Sequence, residues 1–229
     1  MNTAIIVAAG AGKRFGGEAP KQFLTLRGKT LLEITLSRFE HCTDVDEIVL
    51  VVPEERLRAE ESLQSQFTKL KSIVAGGSTR AESVRNGLEE VRSEGVVAVH
   101  DGARPLVSVS EISLTIAAAK KHGASCLVVP VTDTIKKTDG RVITGTLDRS
   151  KMRRAVTPQC FEYGLLKRAF AEADSIETAT DECSLVERLG VAIRIVEGSV
   201  RNIKITMPED LKIAEALLDQ KDILAKGKN

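Results

Sequence analysis

Short, continuously apolar segments alternate with helical segments along most of this chain, and this alternation restricts the fold more than any other feature. Residues 3–9, 47–52, 96–99 and 124–131 are apolar and rich in β-branched side chains, which is typical of strands buried on both faces. Amphipathic segments such as residues 79–92 separate them. Buried strands joined by helices predict an α/β fold, in which a mostly parallel sheet carries helices on both faces.

Local signals mark where several helices begin. Thr79 with Glu82 has the pattern of a capping box, as does Thr206 with Glu209, and Thr180 is the expected N-cap of a later helix. The chain contains no linker or change of composition, so residues 1–229 are expected to form one domain. Helices are predicted at residues 30–39, 54–67, 79–92, 109–122, 161–172, 181–189 and from about 207, and further short strands at 72–75 and 191–196.

Residues 132–154 interrupt the alternation. An Asp-Gly pair at 139–140 lies between Ile135 and Val142, which predicts a β-hairpin with mostly polar strands. A polar hairpin has no core of its own, so we interpret residues 132–154 as a β-arm that packs on a second subunit. A solvated loop excursion is the alternative, and composition does not separate the two.

Bulk properties exclude several classes of function. The formal net charge is +1, so no broad electrostatic surface for nucleic acid is expected. No apolar run is long enough to span a bilayer and no signal peptide is recognised, so the cytoplasm is the expected compartment. The four cysteines lack metal-ligand spacing and fit a reducing compartment.

The segment after the first strand is rich in glycine and in cations. Gly10 and Gly12 are followed by Lys13, Arg14 and Lys21. Neither the spacing of a dinucleotide fingerprint nor that of a P-loop is matched. Loops at the carboxyl ends of parallel strands favour anions, and a loop with three cations suits a triphosphate whose charge grows during reaction. A solvated basic loop is the alternative.

Other strand ends carry polar residues that should meet this loop. Asp101 leaves a buried strand and could bind a ribose hydroxyl or a metal, or could simply pair with Arg104 in a turn. Residues 76–83 read GGSTRAES and could approach a base, or could be a glycine turn with a helix cap. Lys204 precedes a capped helix and could instead face water. Because these ends share one sheet edge, they predict a pocket for a nucleotide and a phosphate, with His100 shaping the Asp101 turn.

Seven motifs that span the chain form one set: AAGAGKRFG…PKQF, GGSTRAESVRNGL, VHDGARP, DTIKKT, LDRSKMRRAVTPQ, TDECSLVE and NIKITMPEDL. In this order they resemble the 2-C-methyl-D-erythritol 4-phosphate cytidylyltransferases of the non-mevalonate isoprenoid pathway. The resemblance implies a homodimeric enzyme with a Rossmann-like nucleotidyltransferase fold and an extended β-arm. It implies that methylerythritol phosphate and CTP are converted to the CDP-alcohol and pyrophosphate, with Mg²⁺ as cofactor.

The resemblance also implies roles for individual residues. Asp101 is the one protein candidate for the metal, since Arg201 stands where many relatives carry an acid. Thr180 matches a nucleotide-binding position that also lies near the second substrate. Catalytic positions match Arg14, Lys21, Arg149 and Lys204; nucleotide-binding positions match Ala8, Ala9, Gly10, Gly12, Gly77, Ser83, Asp101, Ala103 and Thr180; substrate-phosphate positions match Thr134, Arg149, Thr157 and Lys204.

The chemistry fits this residue set. A substrate phosphate is ionised at neutral pH, so no general base is needed, and His41, His100 and His122 are assigned no catalytic role. The closest alternative is a cytidylyltransferase for ribitol 5-phosphate or another polyol phosphate. A dinucleotide-binding oxidoreductase is disfavoured by the broken fingerprint. A non-enzymatic nucleotide-binding regulator would not need all of the cations together.

Overall fold

The computed structural model describes residues 1–10 and 21–218. Gly12 and Arg14 of the first loop therefore lie outside the described residues, and for Lys21 the description covers the backbone. Within the described part, no helix combines the length and the apolar character needed to cross a lipid bilayer.

A seven-stranded mixed sheet organises the fold, with the strand order β11-β7-β10-β6-β1-β4-β5. Neighbouring strands are parallel except around β10, which runs antiparallel to both β6 and β7. The strands are β1 (Thr3–Val7), β2 (Thr25–Leu26), β3 (Lys29–Thr30), β4 (Glu47–Val52), β5 (Leu70–Ala75), β6 (Val96–Asp101), β7 (Ala124–Pro130), β8 (Lys136–Asp139), β9 (Val142–Thr146), β10 (Arg153–Glu162) and β11 (Arg194–Glu197).

Helices cover both faces of this sheet, as predicted. They are α1 (Leu31–Glu40), α2 (Leu57–Glu60), α3 (Leu63–Gln66), α4 (Arg80–Glu89), α5 (Val109–His122), α6 (Tyr163–Ala171), α7 (Glu182–Glu187) and α8 (Pro208–Leu217).

Successive residues of β1 enter different cores, because side chains alternate across a strand. Ile6 packs in the core that holds Leu36 of α1 and Ile112 of α5, whereas Ile5 packs in the core that holds Val84 of α4. Ile5, Ile6, Leu36, Val84 and Ile112 are all 0% exposed. Burial on both faces explains why the strands read as continuous apolar runs.

The structure corrects four details of the sequence analysis. Strand β10 was missed, because its charges and proline resemble a loop. The segment predicted as one helix at 54–67 is instead a 3-10 turn followed by the short helices α2 and α3. Asp181, not Thr180, caps α7, since its Oδ1 accepts from the backbone N of Ser184 at 2.9 Å. At the start of α8, Asp210 rather than Glu209 accepts hydrogen bonds from the backbone N of Thr206 and of Met207.

The predicted hairpin is present as β8 and β9, which pair with each other in a separate two-stranded sheet. Gly140 adopts a φ of 54° in its turn, a conformation that glycine accepts without strain. Val142 and Ile143 are 65% and 62% exposed. The hairpin is thus observed, while its role as a dimerisation arm stays a prediction.

Candidate functional site

The loops after β1 and β5 meet at the carboxyl edge of the sheet. Gly76 permits this approach, because a Cβ there would lie 2.2 Å from Cβ of Ala9 and 2.8 Å from Oγ of Ser83. The turn after β6 joins them, since the backbone N of Gly102 donates to the carbonyl of Val7 at 2.9 Å. The loop that carries Ala8, Ala9 and Gly10 is thereby brought together with the loops after β5 and β6, at the edge where ligands of open α/β sheets bind.

Gln22 fixes the start of the first loop, and the sequence analysis did not single it out. Its carboxamide is 2% exposed and donates to the carbonyl of Ala8 and, at 3.1 Å, to that of Gly10. These bonds hold the loop backbone on both sides of Ala9. They also place the adjacent backbone of Lys21 beside this loop.

The loop after β5 is shaped by the first turn of α4. Ser83 is 2% exposed, and its hydroxyl accepts from the backbone N of Gly77 at 3.1 Å and donates to the carbonyl of Thr79 at 2.9 Å. Glu82 and Thr79 form the predicted capping box. Ser83 therefore orders the loop, and Gly77 remains exposed on it.

Asp101, at the end of β6, lies at the centre of a charged cluster. Its side chain is 9% exposed. Oδ1 accepts from Arg80 Nε at 3.1 Å, and Oδ2 accepts from Lys204 Nζ at 2.9 Å and from Arg104 Nε at 3.3 Å. Burial by itself would raise the pKa of Asp101, but Arg80, Lys204 and Arg104 together hold it well below its usual range. The pairing with Arg104 that was considered as an alternative is thus present, together with two further cations.

A second carboxylate completes this cluster. Glu182, the first residue of α7, is 1% exposed, and its Oε1 lies 2.6 Å from Arg80 Nη1. Burial raises the pKa of Glu182, Arg80 opposes that shift, and the charges of Asp101 and Asp181 add to it. The sequence analysis missed both Arg80 and Glu182, although each lies inside a quoted motif.

His100 holds the Asp101 turn through Thr157. The carbonyl of Arg104 lies 3.2 Å from His100 Nε2, so that nitrogen carries the proton, and Nδ1 accepts from the Thr157 hydroxyl at 3.0 Å. The same hydroxyl accepts from the backbone N of Asp101 at 3.1 Å. Burial lowers the pKa of His100 to about 3, so the ring is neutral and serves the turn, as the sequence analysis expected.

The segment that carries Lys204 lies along the Asp101 turn. The backbone N of Ile205 donates to the carbonyl of Ala103 at 2.9 Å, and Arg104 Nη1 donates to the carbonyl of Asn202 at 2.9 Å. The Lys204 side chain is 33% exposed, so it is partly open to solvent at the carboxyl edge. Asp101, Ala103 and Lys204 are therefore brought together.

Three further predicted residues lie on the surface. Thr134 and Arg149 are exposed on the base of the hairpin, where Arg149 donates to the carbonyl of Thr132. Thr180 is exposed beside the N-cap of α7. Within the described part of the chain, neither Thr134 nor Arg149 has a hydrogen bond or ion pair with the charged cluster. Thr157, in contrast, is buried next to it.

The donor set does not form a complete metal site. Residues 1–10 and 21–218 contain no group of three or more His, Cys, Asp or Glu side chains that could hold a metal ion. Both oxygens of Asp101 accept from cations. A divalent ion at this edge would therefore need ligands from a bound polyanion, which is the usual way in which Mg²⁺ is held with nucleotide phosphates.

A separate cavity of about 480 Å³ lies at the opposite edge of the sheet. Its lining includes Asn2, Gly95 and Gly123 near the amino ends of β1, β6 and β7, together with the acidic side chains of Glu94 and Glu162. The acidic side chains of Asp46, Glu94 and Glu162 outnumber the one lysine of the lining, Lys120, so the cavity disfavours phosphates. Ligands of parallel sheets bind at the carboxyl edge. The charged cluster is therefore the better candidate site.

Comparisons with known proteins agree with this geometry. The model of the IspD family, described as 2-C-methyl-D-erythritol 4-phosphate cytidylyltransferase, matches residues 2–220. Proteins of that name from Syntrophotalea carbinolica and Geobacillus kaustophilus are 43% and 44% identical, over 94% of this chain and 95% and 96% of their own lengths. The crystal structure of the Francisella tularensis protein of that name aligns with a TM-score of 0.80 at 34% identity, over 95% of this chain and 99% of its own. The chain belongs to the 2-C-methyl-D-erythritol 4-phosphate cytidylyltransferase family.

Proposed function

We propose that this protein transfers the cytidylyl group of CTP to 2-C-methyl-D-erythritol 4-phosphate, which gives 4-diphosphocytidyl-2-C-methyl-D-erythritol and pyrophosphate. The observation that carries the proposal is the match of the family model to residues 2–220. The cluster of Arg80, Arg104 and Lys204 around Asp101, at the carboxyl edge of the sheet, supports it independently. Three cations against two carboxylates leave this cluster with excess positive charge for an anionic ligand.

The reaction needs charge stabilisation rather than proton transfer. A phosphate oxygen of the acceptor attacks the α-phosphorus of CTP, the new P–O bond forms, and the bond from that phosphorus to the bridging oxygen breaks. Pyrophosphate leaves with the electron pair. Because the attacking phosphate is already ionised, the reaction needs no general base, and the neutral, buried His100 is not required to accept a proton.

Lys204 is suited to contact the reacting phosphates. An ammonium has three N–H donors, and Asp101 accepts from it at 2.9 Å, so other donors can turn toward solvent. We propose that Lys204 aims the acceptor phosphate at the α-phosphorus, and that Arg14 and Lys21 stabilise the charge that develops there.

The nucleotide would occupy the loops that Gln22, Gly76 and Ser83 hold in place. Backbone groups of residues 8–10 and the exposed Gly77 would contact it, and the Asp101–Ala103 turn would lie beside the ribose. We also propose that Gly12 contacts the nucleotide, as the resemblance to the family implies. Thr157 would act through the Asp101 turn, since its hydroxyl is engaged with that backbone. Thr180 would line the boundary between nucleotide and acceptor.

We propose that the hairpin at residues 132–154 is an arm through which two chains form a homodimer. The support is its pairing in a separate sheet and the exposure of the apolar Val142 and Ile143. In a crossed arrangement, Thr134 and Arg149 would contact the acceptor phosphate in the partner subunit's pocket. Each site would then be built from two chains.

Mg²⁺ is proposed as the cofactor. When bound, it supplies positive charge that neutralises the triphosphate. Asp101 is the candidate protein ligand, and the other ligands would be phosphate oxygens and water. We place the reaction in the cytoplasm, which suits the four free, buried cysteines at positions 42, 126, 160 and 183.

The test is an assay of pyrophosphate release with CTP, Mg²⁺ and one polyol phosphate at a time. Methylerythritol phosphate should give by far the highest kcat/KM, with the CDP-alcohol identified by mass. A higher kcat/KM with ribitol 5-phosphate would replace the proposed acceptor, and no release with any acceptor would reject the proposed reaction. Lys204→Met should lose activity, whereas Arg168→Met, which removes the exposed 3.8 Å pair with Glu172, should keep it.

A further inference from the structure

Arg80 bridges two carboxylates that are far apart in the chain. As the first residue of α4 it donates through Nε to Asp101 at 3.1 Å and through Nη1 to Glu182 at 2.6 Å. The two acids belong to β6 and α7, and 102 positions separate Arg80 from Glu182. The guanidinium therefore joins the loop after β5, the Asp101 turn and the start of α7.

Glu182 is a costly residue to keep at its position. It is 1% exposed, and within the described part of the chain its Oε2 has no hydrogen-bond partner. A buried carboxylate with one satisfied oxygen is seldom the most stable solution, and an apolar side chain of similar size commonly stabilises a fold as well or better. Among the described residues, the polar contact of the Glu182 side chain is the ion pair with Arg80. Its placement is therefore better explained by control of Arg80 than by stability.

Arg80 in turn decides how Asp101 meets Lys204. With Oδ1 taken by Arg80, Asp101 contacts Lys204 and Arg104 through Oδ2 alone. Without Arg80, the carboxylate could rotate and draw the Lys204 ammonium onto both of its oxygens. The ammonium would then be neutralised more fully and turned away from the solvent-facing edge, where a phosphate would bind.

We propose that Arg80 and Glu182 are positioning residues, in which Glu182 fixes the Arg80 guanidinium and Arg80 orients Asp101 so that Lys204 points at the substrate phosphate. The inference rests on the proposed cytidylyl transfer. It also explains why the residue is arginine, because a planar fork can hold two carboxylates at once and an ammonium point charge holds them without that geometry.

The first measurement is a kinetic comparison of Arg80→Met, Arg80→Lys and Glu182→Gln with the wild type. Arg80→Met should lower kcat by about a hundredfold, the usual effect of misplacing a reacting group by about an ångström, while KM for CTP changes less than about threefold. Arg80→Lys should recover part of this loss, and Glu182→Gln, which keeps one acceptor oxygen, should lose about tenfold. The exposed Arg168→Met is the matched control.

The second measurement separates positioning from a structural defect. Lys204→Met is combined with Arg80→Met and, separately, with Glu182→Gln. If Arg80 acts through Lys204, each double variant should have a kcat within about threefold of Lys204→Met alone. Once the Lys204 ammonium has been removed, the residues that orient it have no further effect on kcat. If the kcat losses multiply instead, Arg80 acts independently of Lys204 and the proposal is wrong. A large rise of KM for CTP with unchanged kcat would also overturn it, since Arg80 would then bind nucleotide directly.

Folding is checked by circular dichroism and thermal unfolding of every variant. If Arg80→Met does not fold, the kinetic comparison and the combination with Lys204→Met are made with Arg80→Lys and the nearly isosteric Glu182→Gln instead. An inactive wild type would reject the proposed reaction and this inference with it, whereas an active wild type with unimpaired Arg80 and Glu182 variants would reject this inference alone.

Discussion

Replacement of Asp101 by asparagine removes the anion on which the charged cluster depends. The Asp101 side chain is 9% exposed and accepts hydrogen bonds from Arg80, Arg104 and Lys204. Asparagine keeps the shape and one acceptor oxygen, but it loses the charge and turns an amide N–H₂ group toward at least one cation. Glu182 would remain as the partner of Arg80, so Arg104 and Lys204 would lose their shared anion.

The expected loss is large because the site is buried. A hydrogen bond to a charged group contributes about 1.5–3 kcal/mol, and removing one partner of a buried ion pair costs about 3–5 kcal/mol. We expect Asp101→Asn to lower the free energy of unfolding by about 3–5 kcal/mol at pH 7. Turnover should fall at least about a hundredfold, since Lys204 loses the group that orients it.

The pH dependence gives a sharper check. Burial would raise the pKa of Asp101, but Arg80, Lys204 and Arg104 hold it well below its usual range. In the unfolded chain the pKa of the same group is about 3.9. The stabilisation is therefore fully present above that pH and is lost as the pH falls toward the depressed folded-state pKa, by about 1.4 kcal/mol per pH unit. The difference between wild type and Asp101→Asn should be about 1 kcal/mol smaller at pH 3 than at pH 5.

The assay is urea unfolding followed by circular dichroism at pH 7, 5 and 3, at one fixed protein concentration because an oligomer's stability depends on it. Asp174→Asn, at an exposed position, is the matched control and should change the free energy of unfolding by less than about 0.5 kcal/mol. A loss below about 1 kcal/mol for Asp101→Asn at pH 7 would refute the importance of the cluster. A difference that does not change between pH 5 and pH 3 would refute the depressed pKa.

Three further predictions concern the loops, the arm and the metal. Gly76→Ala should sharply reduce the affinity for CTP measured by calorimetry, because its Cβ would lie 2.2 Å from that of Ala9. The control Gly145→Ala, whose Cβ meets nothing within 4 Å, should keep the wild-type affinity. Mixing Lys21→Ala and Arg149→Ala chains should restore roughly half of the wild-type activity per verified heterodimer if the arms cross, and none if each arm serves its own subunit. Activity should vanish in chelator and return with Mg²⁺; full activity without a divalent ion would contradict the proposed cofactor.

Much of the fold could be predicted because its signals are local. Residues 109–122 were predicted as a helix with the bounds that α5 has, and the Thr79–Glu82 capping box was read directly from the sequence. Strand β10 was missed because its strand character is a tertiary effect. Residues 153–162 include charged residues and a proline, and they become a strand by pairing with both β6 and β7 around an irregular register between Ala155 and Gln159.

Site residues could be predicted where their position at the end of an element places them at the carboxyl edge of the sheet. Asp101 ends a buried strand and Lys204 precedes a capped helix, so both were expected at one edge of the sheet. Lys204 Nζ lies 2.9 Å from Asp101 Oδ2. Arg80 and Glu182 could not be found in this way, since no periodicity or spacing relates residues 102 positions apart. The role of Gln22 was missed for a similar reason, because a buried carboxamide that donates to backbone carbonyls has no sequence signature.

The antiparallel direction of β10 has a consequence for how such a protein can change. Strand β7 ends at the carboxyl edge and β10 begins there, so the chain leaves and re-enters the sheet at the same edge. Residues 131–152 are therefore an insertion at the edge of the candidate site, outside the continuous sheet. Because the loops after β1, β5 and β6 all precede this insertion in the chain, a graft of residues 131–152 from a relative would exchange the part proposed to face the acceptor. The loops proposed to hold the nucleotide would keep their own sequence and support.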